Sequence, residues 1–234
     1  SDILERFPDN ELSGFARYGL AWCLVERDAT AEAVEQLDWF HATEPGRAAD
    51  AELRSSALEL LVWCEGQQGH PQAAQAAWMA FAALKPDPNA LLNGARTVAD
   101  SWKALDKPDE AIQVYGTLSK NAPAVKVPAL IEAGWILLDE GQLSQAETRL
   151  AAAAAEAPND DTVIELSFFL AEALFAKTED GRALPLYASV SAHADHRLAA
   201  EALYKEGFAR LRNDDPQSAL PLFERLVAEY PESP

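Results

Sequence analysis

The sequence predicts an all-α chain, built of antiparallel helix hairpins repeated in register along its length. Three observations predict it. Prolines stand at Pro8, Pro45, Pro86, Pro123, Pro158 and Pro231, with gaps of 37, 41, 37, 35 and 73 residues; the last gap is close to two periods, and Asp195 holds the place of a further mark. Twelve residues before each mark from Pro45 onward stands an alanine: Ala33, Ala74, Ala111, Ala146, Ala183 and Ala219. Four residues after each alanine comes Leu37, Trp78, Tyr115, Leu150, Tyr187 or Phe223, and three further on Phe40, Phe81, Leu118, Ala153, Val190 or Leu226. Steps of four and three are the apolar stripe of an amphipathic helix.

Each such helix is preceded by another. Its stripe reads Leu20, Ala21, Leu24; Leu61, Val62, Glu65; Val98, Ala99, Trp102; Ala133, Gly134, Leu137; Leu170, Ala171, Leu174; Glu206, Gly207, Arg210. Polar turns separate the two helices of a pair, at Arg27-Asp28, Gln68-Gly69-His70, Asp106-Lys107, Glu140-Gly141, Glu179-Asp180 and Asp214-Asp215. Pro71, Pro108 and Pro216 stand where second helices start, a position whose N–H has no intrahelical partner. Pro185 and Pro221 fall inside second helices, within Ala-Leu-Pro-Leu, and predict a shared local bend. The small residues Ala21, Ala99, Gly134, Ala171 and Gly207 predict close helix crossings.

These residues carry a family resemblance. The pattern Trp-x2-Leu-Gly-x2-Tyr, then Ala-x3-Phe, then Pro belongs to the tetratricopeptide repeat. Gly134 with Ala146 and Pro158 resembles it, as does Gly207 with Ala219, Phe223 and Pro231; no repeat has the opening Trp in place. The resemblance implies a right-handed α-solenoid in which neighbouring hairpins share one continuous core. It implies one array over 1–234, with residues 1–9 the tail of a preceding repeat and repeats near 12–47, 48–88, 89–124, 125–160, 161–196 and 197–231. Leu4-Glu5-Arg6-Phe7-Pro8 is similar to Leu226-Val227-Ala228-Glu229-Tyr230-Pro231, so a segment of a longer repeat protein is expected.

Charge and composition narrow the function. Asp and Glu total 38 against 19 Lys and Arg, a net charge of −19. Such a chain repels phosphate, which argues against nucleic acid and anionic lipid as partners. No apolar run reaches the roughly 18–20 residues that span a bilayer, so no direct membrane insertion is expected. Two cysteines, Cys23 and Cys64, are too few for a disulfide framework or a thiolate metal site. They share one slot in adjacent first helices, roughly 8–10 Å apart, and two free thiols in small packing sites are expected.

Catalytic constellations are missing as well. The sequence has no phosphate-cradling glycine loop, no His-Glu-x-x-His and no nucleophile elbow. His193-Ala194-Asp195-His196 has metal-like density but reads as a solvated inter-repeat turn. Asp160-Asp161 and Asp214-Asp215 read as helix caps. No catalytic, cofactor or metal residue is assigned, no cofactor is expected, and the chain reads as no enzyme.

In the family the first helix of each repeat lines the concave face. Carried onto this chain, that face holds Phe15, Tyr18 and Trp22; Glu59 and Trp63; Arg96 and Asp100, beside Asn93; Ile131 and Trp135; Phe168 and Glu172, beside Glu165; and Tyr204 and Phe208, beside Glu201. Aromatic residues there would serve either as interface anchors or as packing between neighbouring helices. Some family members hold a C-terminal carboxylate in a clamp of Lys, Asn and Arg. The matching positions here are Tyr18, Trp22, Leu60, Asn93 and Thr97, so the clamp is absent. An aromatic, acidic face favours an apolar or basic protein segment.

The leading reading is therefore a scaffold that binds a partner protein or peptide. A spacer within a larger envelope or secretion protein, without a groove ligand, is a second reading, and a regulatory domain attached to an enzyme elsewhere in the chain is a third. Phe-Pro-Asp-Asn-Glu-Leu and Tyr-Pro-Glu-Ser-Pro resemble segments of bacterial cell-envelope members of the family, including outer-membrane assembly and Tol-associated components. The periplasm or envelope is the favoured compartment, and the sequence assigns no oligomeric state.

Overall fold

The computed structural model describes residues 12–231. The stretch read as the tail of a preceding repeat, with Pro8, lies outside the described residues. Among these residues the secondary structure is helical throughout, and the chain divides into two compact units at Val125/Lys126.

The first unit holds three hairpins. Helix α1 (Ser13–Val25) pairs with α2 (Thr30–Leu37), which is followed by the short α3 (Trp39–Ala42) and α4 (Glu44–Arg47). Helices α5 (Ala51–Gln67) and α6 (Pro71–Ala82) pair next, then α7 (Pro88–Ala104) and α8 (Pro108–Asn121), before a 3-10 turn at Pro123–Val125. The second unit repeats the arrangement with α9 (Lys126–Asp139) and α10 (Leu143–Glu156), α11 (Asp161–Ala176) and α12 (Asp180–Ser191), α13 (Ala199–Arg212) and α14 (Pro216–Glu229). Each pair of helices is in contact.

The starts follow from local chemistry. Helices α6, α8 and α14 begin on Pro71, Pro108 and Pro216. Asp50, Asp87 and Asp160 cap α5, α7 and α11, their carboxylates accepting from backbone N–H groups of the first turn. The first hairpin is the irregular one. Its second helix breaks at Asp38, and Pro45 lies inside α4, where Thr43 caps the turn by accepting from the Gly46 N–H at 3.0 Å.

Every hairpin turns the same way. Asp28, Gly69, Asp106, Gly141, Thr178 and Asp214 all have φ between +57° and +71°. The N–H of the next residue closes a bond five residues back, as from Ala29 to the Leu24 carbonyl, His70 to Glu65 and Glu179 to Leu174. This is the Schellman end, in which one left-handed residue satisfies carbonyls the helix leaves open. Five of the six residues are Asp or Gly; Thr178 is β-branched, and a left-handed conformation strains it by roughly 1–2 kcal/mol. Thr178→Gly is therefore expected to raise the stability of the second unit by about 1 kcal/mol, read as a higher urea midpoint at unchanged m-value. An unchanged or lower midpoint would count against the strain.

The six repeated alanines form the spine of the core, each at most 1% exposed. A methyl side chain there lets the two helices of a hairpin close up, and larger residues fill the flanks. Leu37, Trp78, Tyr115, Leu150 and Tyr187 are buried, as are Phe40, Phe81, Leu118, Ala153 and Val190. Buried polar groups of these residues find partners: the Trp78 indole N–H donates to the Leu91 carbonyl at 3.0 Å. Gly134 and Gly207 mark close approaches, since a Cβ would lie 2.5 Å from a Leu166 methyl carbon in one case and 2.8 Å from the Phe223 ring in the other. Helices α12 and α14 run unbroken through Pro185 and Pro221. In α14 only Ala219 is buried; Phe223 and Leu226 are half-buried, and Leu220 and Val227 are exposed.

The cysteines differ from expectation in one respect. Both thiols are free, but only Cys64 is buried; Cys23 is exposed on α1 and packs no core. Burial pushes the Cys64 thiol up to about 11, with the neighbouring Glu65 carboxylate adding to the effect.

Candidate partner-binding face

The face assigned from sequence runs along the first helices of the hairpins, and each unit presents its own share. In the first unit Phe15, Trp22, Glu59, Trp63, Arg96 and Asp100 are exposed, while Tyr18 is half-buried. Tyr18 and Trp22 lie one turn apart on α1 and meet edge to face, centroids 6.4 Å apart. Trp63 and Asp100 come together across two helices, on the walls of a cavity of about 390 Å³ between α5 and α7.

The second unit corrects two assignments. Ile131 is 4% exposed and Phe168 3% exposed, so neither offers surface to a partner. Phe168 is held against the Tyr187 ring at 6.1 Å, and α9, which carries Ile131, packs against α11. The packing role that sequence left open for aromatic residues is thus the one Phe168 serves, and Ile131, read as surface, is packed as well. Trp135 is half-buried, tilted against the ring of Phe169 at 5.5 Å. Phe169 is the residue the pattern missed: it is exposed one position along from Phe168. The Phe-Phe doublet was the available signal, because two adjacent helical residues point about 100° apart and one of them faces outward.

Tyr204 and Phe208 are exposed on α13 and stack at 6.2 Å with an interplanar angle of 23°. Phe208 also meets Phe175 at 6.2 Å, and the Arg212 guanidinium lies 3.5 Å from the Phe175 centroid. Beside them Ala200, Glu201, Tyr204, Lys205, Leu226 and Tyr230 border a cavity of about 720 Å³.

Charge on this unit is largely settled internally. Glu172 accepts from the Tyr187 hydroxyl and from Lys205 Nζ at 2.6 Å. Arg197 reaches Glu165 at 2.6 Å, and Arg182 ties α12 to Glu147 and Ser144 of α10. These basic groups are spent on holding hairpins together, a role the sequence reading did not assign to them. Desolvation, then the Glu172 carboxylate, raises the Tyr187 hydroxyl far above its ordinary value.

The histidine-rich turn is held by ordinary hydrogen bonds. The two ring nitrogens of His193 lie 2.9 Å from the Ser189 carbonyl and 3.2 Å from Asn159 Oδ1, and His196 Nδ1 accepts from the Leu198 N–H. Among the described residues no group of three or more His, Cys, Asp or Glu is placed to hold a metal ion. No helix among them is long and apolar enough to cross a membrane.

A tetratricopeptide-repeat family profile matches residues 201–233, which span α13 and α14. The structure is similar to the C-terminal part of a tetratricopeptide-repeat-containing protein from Cytophaga hutchinsonii, with a TM-score of 0.52 at 15% identity over 91% of this chain and 78% of that one. The fold is that of the tetratricopeptide repeat. Other likenesses are to MamA from Desulfovibrio magneticus RS-1 (TM-score 0.47, 19% identity, 75% of this chain and 94% of that one) and to PilW, a type IV pilus biogenesis factor (TM-score 0.46, 16% identity, 94% of each chain). No curated protein matches the chain. Within the tetratricopeptide-repeat frame the first helices are the elements that carry Trp22, Trp63, Trp135 and Phe208 at one recurring slot, with Asp100 and Glu172 at the same slot in the third and fifth hairpins.

Proposed function

We propose that this tetratricopeptide-repeat chain is a non-catalytic scaffold that binds an apolar or basic segment of a partner protein along its first-helix faces. One observation carries the reading. The exposed aromatic residues among the described residues are Phe15, Trp22, Trp63, Phe169, Tyr204 and Phe208, and every one lies on a first helix. The second helices bury or half-bury theirs. An aromatic side chain about half in water forgoes part of the roughly 1.5–3 kcal/mol that full burial supplies. Placing all of them on one type of helix concentrates the anchor residues typical of binding hot spots. Glu59, Asp100 and Glu201 stand exposed among them, on a chain of net charge −19, which favours a basic rather than an acidic partner segment. The six hairpins would then act as repeats with bounds near those read from the prolines, and the bacterial envelope is the compartment that the terminal sequence resemblance supports.

The test is an array of synthetic basic-apolar, neutral and acidic peptides probed with the full chain, with binders titrated by calorimetry. Basic-apolar peptides should bind. Trp63→Ala should weaken binders of the first unit, and Phe208→Ala binders of the second, about tenfold or more while far-UV circular dichroism stays unchanged. Binding that ignores both replacements but is lost on Met79→Ser, on a second helix, would overturn the reading.

A further inference from the structure

One side of the cavity between α5 and α7 is built by a close helix approach. Gly66 has no side chain, and the methyl of Thr97 takes the space a Cβ would need. The Ser101 hydroxyl in that wall donates to the Thr97 carbonyl at 2.8 Å and lies 3.4 Å from the Gly66 carbonyl, so it is satisfied from within. Two groups at the cavity are turned to solvent instead. Trp63 is exposed on α5, and the Asp100 side chain on α7 is 72% exposed. Asp100 has an ion pair with Lys103 on its own helix, at 3.7 Å and with both side chains well exposed. Such an exposed pair is weak and yields readily to a competitor.

The second unit shows what a carboxylate at this slot accepts. Cys64, Ser101 and Ala173 share one repeat position, so Trp63, Asp100 and Glu172 share the position before it. Glu172 is engaged by the ammonium of Lys205, delivered from the neighbouring first helix at 2.6 Å. In the first unit the corresponding carboxylate faces an open cavity with an indole beside it.

We propose that the cavity walled by Trp63 and Asp100 is a subsite for a lysine or arginine side chain of the bound partner segment. The cation lies between the Asp100 carboxylate and the Trp63 ring, and its methylenes run along the Gly66–Thr97 wall. Carboxylate and aromatic face each favour a cation, the ring through its quadrupole. This subsite rests on the scaffold reading above and names the partner chemistry at one point of the same face.

The probe is n-butylammonium chloride, a mimic of the lysine side chain, titrated into the full chain at constant ionic strength with the Trp63 indole N–H followed by NMR. A saturable shift at Trp63 is expected, absent with n-butanol. Asp100→Asn should weaken it about fivefold, the fold-change that a single exposed ion pair supports. Asp100 is a surface residue, so this variant keeps its fold, and the other indole resonances report that directly. No saturable shift at Trp63, an equal response to n-butanol, or an unchanged affinity in Asp100→Asn would each overturn the subsite. The two failures are distinguishable: array peptides that bind through Trp63 but tolerate Asp100→Asn and loss of their own basic residues would retain the face and eliminate the subsite, whereas peptides whose binding ignores Trp63→Ala would eliminate the face itself.

Discussion

Tyr187→Ala is expected to destabilise the second unit by about 3–5 kcal/mol, the range for deleting a large buried aromatic side chain. Tyr187 is among the largest fully buried side chains, and it meets the rings of Phe168 and Phe175 at 6.1 and 6.3 Å. Truncation to a methyl leaves a void where α11 and α12 cross. It also strands Glu172, which loses one of its two donors. Tyr187→Phe keeps the ring and removes only the hydroxyl, so a loss near 1 kcal/mol is expected. The two variants also differ in their response to alkali. Burial and Glu172 raise the Tyr187 hydroxyl above its ordinary value of 10.0. A group raised on folding contributes stability that is complete below its unfolded value and declines above it. The wild-type second unit should therefore lose stability as pH rises beyond about 10, and Tyr187→Phe should flatten that part of the decline. Urea midpoints between pH 8 and 11 measure both effects; equal costs for the Ala and Phe variants would show that the ring packs loosely.

Arg212→Ala is the second large effect, at about 3 kcal/mol. Asp180 is buried at the start of α12, and its carboxylate accepts from Arg212 Nε at 2.7 Å, from a second Arg212 nitrogen and from Asn213 Nδ2 at 3.1 Å. The same guanidinium donates to the Phe175 carbonyl at 2.8 Å at the end of α11 and covers the Phe175 ring. One side chain of α13 thus binds both ends of the preceding hairpin turn. Removing one partner of a buried ion pair leaves an uncompensated charge, at a cost of roughly 3–5 kcal/mol. The lower end applies because Arg212 keeps about a third of its side-chain surface in water. Pairing Asp180→Leu with Arg212→Met should recover much of the loss, since an apolar pair carries no desolvation cost. A double-mutant cycle on thermal unfolding gives the coupling. Additive losses would mean that the two residues act independently.

Much of this fold was legible because the repeat writes each constraint several times. A residue confined to alanine by a close crossing shows little in one hairpin and clearly in six, and Ala33, Ala74, Ala111, Ala146, Ala183 and Ala219 are all at the buried crossing. Pro71, Pro108 and Pro216 mark helix starts by covalent geometry alone, independent of any neighbour. The binding face was only partly legible. Sequence placed Phe168 outward and passed over Phe169, and it treated Ile131 as surface. Both residues lie on faces that are apolar nearly all round, where periodicity loses its contrast.

The sequence by itself determined the helical class, the pairing of helices and the register of the alanine spine, because these follow from the 3.6-residue period and from proline and alanine stereochemistry. It also determined that the chain is strongly acidic and that its aromatic residues are rich in the first helices. Only the tertiary structure decided which aromatic residues stay in water. Equivalent positions of first helices differ in exposure: Phe168, against the Tyr187 ring of its own hairpin, is buried, while Tyr204, against the Phe223 ring of its own hairpin, stays exposed. The same holds for charge. Composition counts Lys205, Arg212 and Arg182 as cations, but only the packed hairpins show them engaged by Glu172, Asp180 and Glu147, leaving Asp100 turned toward solvent beside Trp63.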